Sequence, residues 1–314
     1  MSQWVLDTPS EGTTIRVRVP WWVWVTPFFL SALFFLSAFF AVFAPLPLLV
    51  FYFRSGRRWA ALAALTNAAI VGFLGGGISL TLYAIFIVVL AVSMAELLQR
   101  KFSVEKAVGF SLLTVAAAAA ACVGAYARIH HVNPVVELHQ QVSNWINLVT
   151  QSISKDNHSA LLNIGDINEW KQSLMLEFPS AIAVFALILA WVNLVLLFRA
   201  NPKGVRERLG LDPSFLKSWK ASEYLVWPTL AAGFTLLVNL GKVSDIGLNV
   251  FKFMMAIYAL QGLSILSFYF DAWKLRPFLR MAGYVIVVFL LTPLLLSLGF
   301  FDLWFDFRRK FRQS

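Results

Sequence analysis

Phe43-Ala44-Pro45-Leu46-Pro47-Leu48-Leu49, followed by Arg54-Ser55-Gly56-Arg57-Arg58, is the stretch that decides the fold. It lies in the first of many apolar runs and interrupts it. Two prolines one residue apart each lack an N–H, and each disfavours helical dihedrals at the residue before it, here Ala44 and Leu46. Hydrocarbon offers no partner for the freed carbonyls, so the break should face other helices or a polar cavity rather than lipid.

Working outward, the whole chain has the same apolar character. Its 314 residues are 59% hydrophobic and 13% charged, with a mean hydropathy of +0.73. Soluble domains carry about 25% charged residues. Several apolar runs exceed the roughly 18 residues that mark a spanning helix. The expected fold class is all-α, a polytopic transmembrane bundle of about eight spans with a proline-broken first helix and an amphipathic non-spanning segment.

The net charge is +10 and the pI about 9.9. The basic residues sit in short segments beside apolar runs. That is the positive-inside distribution, with attraction to anionic headgroups. The expected partner is therefore the lipid bilayer; no nucleic-acid motif is present. The one cysteine, Cys122, rules out an intrachain disulfide or a thiolate metal cluster. In its alanine-rich run it reads as a small buried apolar residue. The start of the chain is polar and of mixed charge, unlike a signal peptide.

Taken in order, residues 1–20 form a polar tail, in which Thr13 to Val19 alternates with a strand period. Trp21, Trp22 and Trp24 mark a membrane interface. An N-terminal half, residues 21–129, holds four helices at 26–53, 59–74, 78–98 and 107–128. Gly75-Gly76-Gly77 forms a tight turn between the second and third. Residues 130–176 are extramembrane. Val135, Leu138, Val142, Trp145, Ile146, Val149 and Ile153 recur there at helical spacing, giving an amphipathic helix, and a second short helix is expected over 166–175. A C-terminal half, residues 177–303, holds four more helices at 179–198, 223–240, 248–273 and 281–298. Asn193 and Asn239 lie inside two of them. Residues 304–314 form an aromatic-basic interfacial tail.

Four basic segments, at 54–58, 100–106, 199–220 and 274–280, fall on one side of an eight-span bundle, which the positive-inside rule makes cytoplasmic. The conflict is at the ends. Eight crossings put the tail, with Arg308, Arg309, Lys310 and Arg312, on the opposite side. Re-entry of the Pro45/Pro47 segment relieves the conflict at the first terminus. An eighth helix that does not fully cross relieves it at the last.

No motif for hydrolysis, nucleotide binding or a metal centre is present, and no catalytic residue, metal ligand or cofactor is expected. Glu96, Glu223, Asp271 and Lys252 lie near span ends, where snorkelling accounts for them. Neutral polar residues at membrane depth remain. An unpaired amide there costs several kcal/mol, so Asn67, Asn249 and Gln261 must bond to another helix, water or a ligand. The candidate ligand-binding set is Pro45, Pro47, Asn67, Asn249, Tyr258, Gln261 and Gly262, with the proline break beside the Asn249–Gln261 face.

Pro45-Leu46-Pro47 followed by Arg54-x-Gly56, Phe178-Pro179 opening a helix with Asn193, Glu223-Tyr224-Leu225-Val226-Trp227, Asn249 before Tyr258-x-x-Gln261-Gly262, and Gly299 with Asp302 appear in that order. This pattern resembles the YybS-like family of uncharacterised bacterial membrane proteins over about residues 25–307. The resemblance implies a multi-pass protein of the bacterial plasma (inner) membrane and no activity. The proline break is also similar to the substrate-binding subunits of energy-coupling-factor transporters and to MreD. On this reading the chain is non-enzymatic and binds, or helps transport, a small molecule or lipid. The alternative is a scaffold in an envelope or cell-division assembly, with the Arg199–Lys220 loop docking a membrane protein partner.

Overall fold

The structure, a computed structural model, describes residues 22–155, 164–202, 204–212, 215–238 and 240–308. The alternating arm at 13–19, Trp21, Asn239 and most of the basic tail lie outside these residues. Among the described residues every regular element is helical. The chain divides into two compact units, one of residues 1–118 and 189–209, the other of 119–188 and 210–314.

In the first unit the opening apolar run does not form one long helix. It is divided into α1 (Trp22–Val25), a 3-10 turn (Thr26–Phe28), α2 (Leu30–Leu36), a second 3-10 turn (Ala41–Phe43) and α3 (Pro45–Ser55). The break falls earlier than the prolines, at residues 37–40, where Ala38 has φ 55°. Pro45 and Pro47 open α3 instead of ending a helix. At a first turn the missing N–H costs nothing, because those donors have no helical partner anyway. Ala44 accordingly keeps helical dihedrals, φ −59° and ψ −33°, against expectation.

Gly56, at φ 91°, then turns the chain into α4 (Arg57–Tyr83), which continues through a π-helical turn (Ala84–Val89) into α5 (Leu90–Gln99). This stretch is not straight. Gly76 has φ 77° and ψ −177°, a conformation that only glycine adopts readily. A Cβ on Gly72 would stand 3.7 Å from the Cβ of Leu80, whereas a straight helix sets these positions about 12 Å apart along its axis. Arg57 Nη1 lies 3.2 Å from Glu96 Oε1. The chain folds back on itself as a helical hairpin, with the Gly75–Gly77 turn at its tip, as the sequence indicates. The unit also takes in the start of α6 (Val104–His130), the end of α8 (Ile164–Ala200) and α9 (Val205–Arg208).

The second unit holds the rest of α6 and α8, with α7 (Pro134–Lys155) between them, then α10 (Phe215–Ser218), a 3-10 turn (Glu223–Leu225), α11 (Val226–Val238), α12 (Lys242–Ala272), α13 (Pro277–Leu290) and α14 (Thr292–Phe305). The amphipathic helix is present as α7: Val142 and Ile146 are buried, while Val136 and Trp145 are exposed. The separate short helix expected over 166–175 is instead the first part of α8, which runs on through Pro179. The single helix expected over 281–298, with Pro293 inside it, is broken. α13 and α14 meet at a 96° bend, at Leu291, whose φ is −116°. Thr292 and Pro293 stand on its far side, and Pro293 removes a donor at the start of α14. Cys122 is exposed rather than buried.

Among the described residues, four helical stretches are long and apolar enough to cross a membrane: Arg57–Gln99, which contains the hairpin, Val104–His130, Gln172–Ala200 and Lys242–Ala272. The bent pair would make a fifth, and Ala41–Ser55 and Glu223–Val238 are shorter apolar helices.

Candidate functional site

The carboxamides on the apolar helices share one role, bonding to neighbouring backbone. In the first unit, Asn67 on α4 is fully buried. Its Oδ1 accepts from the Ala32 N–H at 2.8 Å, and its Nδ2 donates to the Pro27 carbonyl at 2.8 Å and to Ala63. The neighbouring Thr66 hydroxyl reaches the Phe28 carbonyl at 3.3 Å. Pro27 opens a 3-10 turn just before α2, where backbone groups lack regular partners. Asn67 and Thr66 supply them.

The Pro45 segment is braced in the same way. Asn193 Nδ2 donates to the Val42 carbonyl at 2.7 Å, and the buried Ser31 hydroxyl donates to the Ala44 carbonyl at 2.7 Å. Ser31 also lies 2.8 Å from the hydroxyl of Tyr83, itself fully buried. Asn193 Oδ1 is buried and has no partner among the described residues.

In the second unit, Asn249 on α12 bridges one turn of α8 beside Pro179. Its Oδ1 accepts from the Ser180 N–H at 2.8 Å, and its Nδ2 donates to the Leu176 carbonyl at 2.9 Å. Residues 176 and 180 are the i−4 and i positions of one helical hydrogen bond, next to the residue that has no N–H to give.

The richest polar cluster surrounds Gln261, also fully buried. Its Oε1 accepts from the Ala221 N–H at 3.1 Å and its Nε2 donates to Asp302 Oδ2 at 2.9 Å. Asp302, on α14 and fully buried, also accepts from Arg308 Nη2 at 2.8 Å and from the Phe307 N–H at 2.9 Å. Arg308 Nη1 donates to the carbonyls of Lys217 and Trp219 at 3.1 and 3.0 Å. The carboxylate and the guanidinium neutralise each other and bind backbone groups besides. A buried pair needs such added bonds to offset its desolvation.

Two glycines let α12 and α14 approach closely enough for this. A Cβ on Gly299 would sit 1.8 Å from the Tyr258 carbonyl oxygen, and one on Gly262 would sit 2.4 Å from that of Leu295. Gly262 therefore serves the helix crossing. Tyr258 is fully buried at the same crossing, its ring edge-on to Phe300 at 5.1 Å and its hydroxyl 3.4 Å from that of Thr229. Gln261 bonds the chain next to Lys220 and lies in the half of α12 that leads to the basic 273–280 turn.

The charged residues assigned to snorkelling are paired. Glu96 meets Tyr52 and Arg57. Asp271 holds both Lys217 and Arg280, which ties the 217–220 loop to the 273–280 turn. Lys252 reaches Glu177 at 2.5 Å. In the loop after α8, Asn201 Nδ2 donates to both oxygens of Glu207, at 3.0 and 2.9 Å. These bonds hold that carboxyl below the ordinary glutamate range.

Of the candidate set, Pro45, Pro47 and Asn67 belong to the first unit and Asn249, Tyr258, Gln261 and Gly262 to the second. Sequence reasoning named Asp302 only in a closing motif and Arg308 only in the basic tail, and missed their place in this cluster. A lone carboxylate in the apolar run 292–305 was the available signal, since such a group inside a span is costly without a partner. No cluster of three or more His, Cys, Asp or Glu residues suited to a metal occurs among the described residues.

Long apolar helices whose polar groups pair within the protein define a multi-pass helical membrane protein. The chain belongs to the family of predicted membrane proteins DUF2232, a family of unknown function, whose model matches residues 25–303. No curated protein and no solved structure matches it.

Proposed function

We propose that this protein is a non-enzymatic, multi-pass scaffold of the bacterial plasma membrane, acting by holding a protein partner in an envelope assembly. The observation that carries this reading is the state of the candidate ligand amides. Asn67, Asn249 and Gln261 each spend both ends of the carboxamide on bonds within the chain. Groups so committed brace the bundle. A solute would have to displace them at a cost of about 1–3 kcal/mol for each group left unpaired. α7 supplies a surface for docking, since Trp145 is 58% and Val136 52% exposed on a helix whose Val142 and Ile146 face inward. Counting the hairpin as two passages, and each other long helix and each shorter apolar helix as one, gives seven passages ahead of the bent pair α13–α14 and leaves the basic loops on one face. The basic loops then face the anionic leaflet.

A photo-crosslinking residue at Trp145, in the full-length protein in its native membrane, tests this. The scaffold reading expects one discrete protein adduct whose partner co-purifies in a fixed ratio and is lost on Trp145→Glu. Crosslinking to lipid alone would overturn it.

One observation favours a second reading, binding of a small molecule or lipid in transport. Asn193 Oδ1 is a buried acceptor without a partner, beside the Pro45 segment. A bound molecule with a donor group would satisfy it. Native mass spectrometry of the wild type and of Asn193→Leu distinguishes the readings: a small molecule retained by the first and lost from the second supports ligand binding.

A further inference from the structure

The bent pair α13–α14 begins and ends at the same place. At its start, Arg280 binds Asp271 at the end of α12, and Asp271 also holds Lys217. At its end, Arg308 donates to the carbonyls of Lys217 and Trp219, and the Tyr269 hydroxyl donates to the Phe307 carbonyl at 2.9 Å. Both ends therefore converge on one loop and on the last turns of α12.

The contacts between these ends fall in the same half of α12. Tyr284 packs on Phe270 with ring centroids 5.1 Å apart, and α14 crosses at Gly262 and Tyr258. α12 starts at Lys242, and the bonds and ring contacts named here reach no nearer to that end than Tyr258. Each arm has 14 residues, or about 21 Å at 1.5 Å per residue. The bend between the arms, more than this length, sets the pair apart from a helix that crosses a hydrocarbon layer of roughly 30 Å. Two such arms joined at 96°, entering and leaving by one face, would reach about halfway across it.

We propose that α13–α14 is a re-entrant pair. It enters the membrane from the face carrying Lys217, Lys220, Lys274 and Arg276, turns at Leu291, and returns to that face. Arg308 then lies with the basic loops, on the side of the anionic headgroups. The buried Arg308–Asp302 pair pins the returning arm. Trp273 and Trp304, both exposed, suit the headgroup level at which tryptophan concentrates. This removes the charge conflict that eight full crossings create, and it rests on the membrane topology alone, not on the scaffold reading.

The test is single-cysteine accessibility in the full chain, in a Cys122→Ser background, with a membrane-impermeant maleimide applied to intact and then permeabilised cells. Cysteines replace Ser218, Leu291 and Ser314 one at a time. Re-entry predicts that Ser218→Cys and Ser314→Cys label together, only after permeabilisation, and that Leu291→Cys is not labelled in intact cells. Labelling of Ser314→Cys or Leu291→Cys in intact cells, with Ser218→Cys protected, would overturn the proposal. A reporter fused after residue 314 reads the same side without depending on thiol reactivity. Activity there only on the face opposite Ser218 would equally refute re-entry.

Discussion

Arg57 and Glu96 lie 3.2 Å apart although 39 residues separate them. A helix running straight from Arg57 to Gln99 would hold them more than about 55 Å apart, so the pair records a reversal of the chain. The ion pair does little to hold the hairpin, because Arg57 is 74% exposed and exposed pairs contribute about 0–1 kcal/mol. The conformation of Gly76 matters more. Gly76→Ala meets no steric neighbour, but it forces a Cβ into a backbone region that costs about 1–3 kcal/mol. Thermal melts in detergent should show a clear loss for Gly76→Ala and almost none for Glu96→Gln.

Gly299→Ala fails for a different reason. The obstacle is the backbone of α12, with the Tyr258 carbonyl oxygen 1.8 Å from the new Cβ, and backbone cannot rotate away as a side chain does. The helices must separate, at about 3 kcal/mol or more, which also opens the Gln261–Asp302 bond. A melting temperature within a degree or two of wild type would show that the crossing is not close.

Asn249→Ala leaves the Ser180 N–H and the Leu176 carbonyl without their bridge. Interhelical bonds of this kind average about 0.6 kcal/mol and reach about 1.7. The predicted effect is a small loss of stability with faster hydrogen exchange confined to the turn around Pro179. Unchanged exchange at Ser180 would contradict the bridging role.

Glu207 titrates below its ordinary value because Asn201 donates to its ionised form. The sign follows from linkage: a depressed folded-state pKa contributes stability that is present above the unfolded value and lost as pH falls through the folded one. Asn201→Ala should therefore raise the Glu207 pKa towards that of a free glutamate, read as an NMR titration. A pKa that does not move would remove Asn201 as the cause.

Much of the bundle was legible because the signals were local. Gly75-Gly76-Gly77 announced a turn, the spacing of Val142 and Ile146 announced an inward helix face, and the amides announced that they would be paired. What the amides pair with was not legible. Asn67 serves Ala32 and Pro27, and Gln261 serves Ala221 and Asp302, across 35 to 41 residues of sequence. Pro45 and Pro47 misled because proline breaks a helix from within and starts one at its first turn, and position decides which. The role of Arg308 was hidden because a basic tail beside aromatic residues looks like a headgroup contact, while its partners beyond Asp302 lie in two distant segments, at 217–219 and at Ser264.

The central claim, that the amides brace the fold, meets its most direct test at Gln261. The account predicts that Gln261→Leu lowers the melting temperature of the purified protein by several degrees, since it leaves Asp302 short of one donor and Ala221 without its acceptor at about 1–3 kcal/mol for each buried group. The loss should be the same in detergent extracts and after exhaustive washing. A variant with an unchanged melting temperature that no longer retains a small molecule seen with the wild type by native mass spectrometry would contradict it.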